Sequence, residues 1–232
     1  ADTDIAPPTV ARPARQDAHN ARLEKVIALD AVDVSEQEII NARRAYYGNV
    51  SYVDEWLGRL RATLDECGMA HNTTILFTAD HGDMLGERGL WYKMNFFEHS
   101  ARIPLIVHSP KRFKASRVAT LSSLLDIAPT LLDMAGIEVP SAMDGHSLVP
   151  QLGGFEDTLR TVEGEYLGEG AVAPIFMLRR GKLKYIFSQP DGDQLYDLSV
   201  DPHELNNVVD SSEYLADAAS LRPEVMDRWN MS

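Results

Sequence analysis

The sequence predicts an α/β protein: an α/β/α sandwich built on a mixed sheet over residues 1–157, then a small antiparallel-sheet subdomain with a terminal helix over 158–232. Three observations predict it. Two short apolar runs rich in β-formers, Thr74–Thr78 and Ile103–Val107, are set among helical patterns, which favours a parallel or mixed sheet with helices on its faces. A long helical signal precedes the first of them. From about Thr158 the pattern changes to short strand-like runs separated by turn sequences.

Taken in order, the first 34 residues carry Pro7, Pro8 and Pro13 and read as an extended, surface-hugging lead-in, with a short helix near Ala18–Ala28. The chain opens Ala-Asp-Thr-Asp, with neither an initiator Met nor a signal-like apolar stretch, so a processed or truncated product is expected. Ser35-Glu36-Gln37-Glu38 is a capping box that starts a long helix. Val50, Val53, Leu57, Leu60 and Leu64 step by three and four along one apolar face, which Tyr52 and Trp56 widen into a buried stripe. Gly68 stops the helix. The strand at Thr74–Thr78 then empties into Asp80-His81-Gly82-Asp83, and Ile103–Val107 reads as a strand buried on both faces. Asp126 caps a further helix with Pro129 in its first turn and Gly136 at its end. Ile175–Arg179, Lys182–Ser188 and Gln194–Asp197 form the small sheet, joined by Arg180-Gly181 and by Pro190-Asp191-Gly192-Asp193. Ser212–Trp229 holds a helix broken by Pro223.

Gross composition narrows the partners. A formal charge of −13 argues against nucleic acid and against anionic membrane surfaces, and no apolar run approaches membrane-spanning length. The single cysteine, Cys67, excludes an internal disulfide and fits a reducing, cytoplasmic compartment. Its carboxylate neighbours in Asp65-Glu66-Cys67-Gly68 make it a poor nucleophile.

The chemistry gathers in Thr74–Pro104. A strand that ends in carboxylate, imidazole and glycine places hard ligands where open α/β sheets hold their binding crevice. Asp80 and His81 can reach one metal only if the chain turns, which Gly82 permits. Their oxygen and nitrogen suit manganese or zinc better than calcium. The plainer reading is a loop-capping Asp beside an exposed His. Lys93, among Trp91, Tyr92 and Met94, reads either as a snorkelling surface residue or as a fixed ammonium for an anion. Arg102 is expected to pair with Glu98 four residues earlier, and Asp83 and Glu87 to cap the loop or orient His81. Glu169, between two glycines in a loop, is by composition a solvated acid.

Ala79-Asp80-His81-Gly82-Asp83-Met84-Leu85-Gly86-Glu87, followed by Lys93 and Glu98-x-x-x-Arg102-Ile103-Pro104, resembles the second metal-binding motif of sulfatases in the alkaline phosphatase superfamily. Met94-Asn95-Phe96-Phe97-Glu98 and Arg43-Arg44-Ala45-Tyr46-Tyr47 are similar to the choline sulfatase branch. The resemblance runs over nearly the whole chain. It implies an alkaline-phosphatase-like fold and a hydrolase of small sulfate esters, choline sulfate first among them. Asp80 and His81 become ligands of a divalent metal (calcium, manganese or magnesium), and Lys93 the lysine that touches a sulfate oxygen. His81 stands where many sulfatases carry Asn, as in the choline sulfatase and phosphonate monoester hydrolase branches. Glu169 lines up with an acid that faces the quaternary ammonium of choline. The small antiparallel sheet, with Gln194-Leu195-Tyr196-Asp197-Leu198, Asp201-Pro202 and Glu204, resembles the family's terminal subdomain, and Asp144-Gly145-His146-Ser147 resembles a recurring sulfatase stretch that reads as structural.

Family members use a formylglycine made in a Cys/Ser-x-Pro/Ala-x-Arg motif, and this sequence contains none. The family's first metal motif, an Asp pair, and its leaving-group histidines are also absent. The chain therefore looks like the carboxyl-terminal half of a sulfatase domain, close to inert alone. Open strand edges in such a half favour pairing with the missing amino-terminal half or homo-oligomerisation. A phosphonate monoester or phosphodiester hydrolase of the same superfamily is the alternative enzyme, and a binding module on a sulfatase scaffold the alternative without catalysis.

Overall fold

Asp17 starts the first helix, α1 (Ala18–Val26), by accepting a hydrogen bond from Asn20 N at 3.0 Å. The computed structural model describes residues 5–229. They fall into two units: one runs to Arg112 and takes in Gly168–Gly170, and the other holds Phe113–Leu167 and the chain from Ala171 onward.

In the first unit the capping box forms as the sequence predicts, with Glu38 Oε2 accepting from Ser35 N at 2.8 Å and Ser35 Oγ accepting from Glu38 N at 3.3 Å. It opens α2 (Glu36–Glu66), which ends at Gly68 in the left-handed region with Met69 N donating to Leu64 O. The expected apolar face of α2 is there in sequence but not buried: Val50, Val53, Trp56 and Leu60 are all about half exposed. The only buried residue of the helix is a charged one, Arg43.

The strands β1 (Ile75–Thr78) and β2 (Leu105–His108) pair antiparallel, Ile75 opposite His108 and Thr78 opposite Leu105. A parallel pairing would require a crossover that lies on one face. The connection here is instead the motif loop with one short helix, α3 (Glu98–Ala101), and it returns the chain alongside itself. Burial of β2 on both faces is not observed. Its side chains alternate, and Ile106 is 58% exposed, because the pair forms a sheet of two strands only.

The lead-in is not confined to the surface. Val10 and Gln16 are buried, Val10 N donates to Glu87 Oε2 at 2.8 Å, and Gln16 Nε2 donates to Arg88 O at 2.9 Å. Arg43 completes this lattice with bonds to Ala6 O (2.9 Å), Leu85 O (2.7 Å) and Glu87 Oε1 (3.3 Å).

In the second unit, α4 (Ile127–Met134) starts at its N-cap Asp126 and ends at Gly136, as expected, but the Asp126 side chain makes no capping bond to the helix. It serves the turn just ahead, Leu124–Asp126, whose cap is Ser123 in a capping box with Asp126 as the acid; the Asp126 carboxylate also accepts from His146 N and from Arg160. The stretch Asp144–Ser147 packs there through its backbone, and a Cβ at Gly145 would lie 1.9 Å from Leu125 O. A single turn, α5 (Val149–Leu152), follows.

The small sheet has four strands in sequential antiparallel order: β3 (Thr161–Tyr166), β4 (Ile175–Arg180), β5 (Leu183–Phe187) and β6 (Gln194–Asp197). The first is not among the strand runs the sequence predicts, since Glu163, Gly164 and Glu165 carry little strand propensity. It is held by pairing with the apolar β4. The last helix, α6 (Leu215–Arg228), is continuous through Pro223 rather than broken there. Packing outweighs the lost hydrogen bond: Leu221 and Val225 sit in one cluster with Phe176, Leu178, Tyr185, Phe187 and Leu195, and Trp229 stacks on Phe176 at 4.4 Å.

Two charged groups finish this core. Lys184 and Glu204 form an ion pair at 2.7 Å with both side chains 1% exposed. Removing one partner strands the other charge, so Lys184→Met is expected to lower stability in urea unfolding by about 3–5 kcal/mol, with Glu204→Gln added to it recovering most of the loss. Asp197 accepts from Lys182 Nζ (2.7 Å), Ser199 Oγ (2.6 Å) and Tyr214 OH (3.0 Å). Burial alone would raise its pKa, but these bonds outweigh it and hold the carboxyl at about 2. A carboxyl depressed on folding stabilises above its unfolded pKa and loses that contribution as the pH falls through the folded one. Asp197→Asn is therefore expected to cost about 2 kcal/mol at pH 7 and to flatten the loss of stability between about pH 4 and pH 2.

Candidate active site

The motif loop leaves β1 at Thr78 and is pinned before it can wander. Gly82 N donates to Ser100 O at 2.7 Å, and a Cβ at Gly82 would meet His99 O at 2.1 Å. Glycine is needed here for close approach of two backbones. The turn-permitting backbone expected from sequence is not what it provides, since Gly82 is not in the left-handed region.

Asp80 and His81 come together on this anchored loop, both open to solvent. The His81 Nδ1 lies 2.7 Å from Gly82 O. A carbonyl only accepts, so Nδ1 carries the hydrogen and the lone pair of neutral imidazole falls on Nε2. That Nε2 is 3.4 Å from Asp80 Oδ2. Asp80 in turn accepts from His81 N at 3.0 Å. This bond and the Asp80 N–H hold its carboxyl below the usual range, with the charge of Lys93 adding to the effect.

The pair fits a divalent metal on its own geometry. A backbone carbonyl fixes the imidazole, as it does for many ligating histidines, and an ionised carboxylate stands beside the free nitrogen. It is a partial donor set, for no group of three or more His, Cys, Asp or Glu suited to a metal occurs among the described residues.

Lys93 is exposed, and its charge reaches Asp80. The residues on either side of it are both left-handed without being glycine, Tyr92 at φ 65° and Met94 at φ 32°. Bonds hold this strained backbone from both ends: Met84 N donates to Tyr92 O at 2.7 Å, and His19 Nε2 to Met94 O at 2.7 Å. Beside it opens a cleft of about 600 Å³ lined in part by Tyr46, Asp83, Trp91 and Tyr92. The Tyr46 hydroxyl is shifted to a higher pKa by burial and then by the charges of Asp83 and Asp80.

Other sequence-selected residues take different parts. Asp83 caps the loop, accepting from Leu85 N at 2.8 Å. Glu87 binds Val10 N and Arg43 and does not orient His81, which Gly82 O does. Arg102 does not pair with Glu98; the bond between them is backbone, Arg102 N to Glu98 O at 2.9 Å, and the Arg102 side chain is exposed. Glu169 is exposed in the turn after β3, and that turn belongs to the same unit as Asp80, His81 and Lys93. The tie is Arg22 Nε, 2.6 Å from Gly170 O.

The sequence gives Tyr46 no role of its own within Arg43-Arg44-Ala45-Tyr46-Tyr47 and does not single out His19 or Arg22. α1 buries His19, Asn20, Leu23 and Glu24, a mostly polar face that apolar periodicity does not register. A polar cap and a histidine in a short helix were the only available signal.

Comparison with solved structures defines the class first. The fold matches a phosphonate monoester hydrolase from Silicibacter pomeroyi (TM-score 0.80, 27% identity, 97% of this chain and 50% of that one). It also matches a protein solved with its substrate D-glucosamine-2-N,6-O-disulfate (TM-score 0.74, 30% identity, 92% and 47%). This is the alkaline-phosphatase-like α/β fold of sulfatases, of which the chain holds a part. A family model described as Sulfatase matches residues 6–137, and one described as N-sulphoglucosamine sulphohydrolase, C-terminal, matches residues 86–230. The chain belongs to the sulfatase family. It is 46% identical to the choline-sulfatase of Rhizobium meliloti (strain 1021) over 209 residues, which is 89% of this chain and 40% of that protein. Arylsulfatase K of Xenopus laevis is 35% identical over 187 residues, 75% of this chain and 35% of that one. The chain thus spans about 40% or less of the length of these two relatives. Among the described residues no helix is long and apolar enough to cross a membrane.

Gly82→Ala tests the anchoring. It is expected to lower stability by about 2 kcal/mol, read by thermal unfolding.

Proposed function

We propose that this chain is the carboxyl-terminal part of a sulfatase that hydrolyses choline sulfate to choline and sulfate. Residues 1–157 would belong to the α/β core and 158–232 to the small subdomain. The observation that carries the reading is the Asp80–His81 pair, with Nε2 free beside a carboxylate and the Lys93 charge acting on the same carboxylate. The 46% identity to a choline-sulfatase supports the choice of alcohol.

Asp80 and His81 are the residues that would hold a calcium, manganese or magnesium ion, which when bound neutralises charge on the sulfate oxygens. Lys93 brings an ammonium to a sulfate oxygen and stabilises charge as the alcohol leaves. Glu169 provides the counter-ion for trimethylammonium. A formylglycine from outside this sequence would supply the nucleophile. The exposed face of α2 and the open edges of the β1–β2 pair are suited to the rest of such a domain or to a second copy.

A second reading, a phosphonate monoester hydrolase, is favoured by the likeness to that class at TM-scores of 0.77 and 0.80. Sulfate monoesters and phosphonate monoesters both carry a single negative charge, so rates on each substrate separate the two readings. The full-length protein is expected to turn over choline sulfate and lose that activity to a chelator, whereas the 232-residue chain alone is inert. Lys93→Ala is expected to lower kcat/KM by about 10²–10³. A preference for phenyl phosphonate esters over sulfate esters would give the site to the second reading.

A further inference from the structure

Substrate with a charge at each end needs its two receptors held at a fixed separation. Helix α1 touches the backbone beside both candidates for that task. His19, 6% exposed, holds Met94 O at 2.7 Å, next to Lys93. Arg22 holds Gly170 O at 2.6 Å, next to Glu169. The two residues are three apart on one helix, hence neighbours on its surface.

Neither contact is incidental. The His19 bond holds a backbone with non-glycine residues left-handed on both sides of Lys93, a conformation that relaxes unless its ends are fixed. Asn95 Nδ2 also lies 3.4 Å from Asn20 Oδ1, so the same loop meets α1 twice. At the other end Gly170 is left-handed at φ 78°, and a Cβ there would come within 2.8 Å of Leu23 Cδ2, so the turn lies directly on the helix. The helix itself is fixed at its start by Asp17 and at Glu24, which accepts from Arg12 at 2.7 Å and Gln16 at 3.2 Å.

We propose that His19 and Arg22 are positioning residues, and that α1 is a strut setting the separation between the sulfate-binding Lys93 and the cation-facing Glu169. This inference rests on the function proposed above. It adds what determines specificity: His19 serves every sulfate ester, and Arg22 serves only those whose alcohol carries a cation.

The test compares choline sulfate with 4-nitrophenyl sulfate, which lacks a cation, in the full-length protein. His19→Ala is expected to lower kcat about tenfold on both substrates and leave their ratio of kcat/KM unchanged. His19→Gln, whose amide can still donate to Met94 O, is expected to stay within about threefold of wild type. Arg22→Ala is expected to raise KM for choline sulfate and lower the choline-to-aryl ratio about tenfold, with Arg22→Lys recovering part of it. If both alanine variants lose the two substrates in the same proportion, the helix is merely structural and the inference is overturned. It is also overturned if Arg22→Ala keeps the wild-type ratio. Should His19→Ala fail to fold, His19→Gln decides that arm, since a loss well beyond threefold there contradicts the role assigned to the bond. Wild-type protein that cleaves 4-nitrophenyl sulfate but not choline sulfate would refute the proposed substrate and the Arg22 role with it, while the His19 arm would still be read on the aryl ester.

Discussion

The first unit depends on one buried ion pair. Arg43 and Glu87 lie at 3.3 Å with side chains 7% and 5% exposed, and each spends its remaining bonds on backbone. Arg43 reaches Ala6 O and Leu85 O, and Glu87 takes Val10 N. A helix, the lead-in and the motif loop are thereby joined by groups that would be very costly to leave unpaired in a desolvated position. Because the unit has few fully buried apolar side chains (Val10, Leu23, Met84, Leu90 and Phe97), this polar lattice fixes the loop where hydrophobic packing is thin. Arg88, with its guanidinium 4.1 Å over the Phe97 ring, extends it.

That lattice explains how a site made of exposed groups can be ordered. Asp80, His81 and Lys93 all face solvent, and none is held by burial. Their backbone is held instead, by Gly82 against α3 and by Tyr92 and Met94 between Met84 and His19. The charged side chains stay hydrated, while the strained backbone that carries them is maintained by bonds one residue away. The second unit works differently. Its core is a conventional sheet-and-helix cluster, and its charged groups, Lys184–Glu204 and Asp197, are satisfied within the fold.

The exposed apolar surface of α2 and β2 follows from the same division. A helix of 31 residues that buries only an arginine, and a strand with Ile106 58% exposed, are elements whose apolar faces are not covered by the residues described. Structural relatives are about twice as long as this chain, which covers 47–54% of five of them.

Local chemistry carried far in the sequence. The capping box at Ser35, the stops at Gly68 and Gly136, the strands at β1, β4, β5 and β6, and the sulfatase motif from Asp80 to Arg102 were all legible, because each is specified by neighbours within a few residues. What sequence could not supply was every feature decided by distant partners. β3 becomes a strand because β4 pairs with it, and α6 runs through Pro223 because a core receives it. The sequence by itself brought forward Asp80, His81 and Lys93 as candidates for holding a metal and an anion. Only the tertiary structure decided that Gly82 is there for close approach and that a short polar helix spans from the Lys93 loop to the Glu169 turn, since contacts between residues 75 and 148 positions apart leave no periodic trace in the chain.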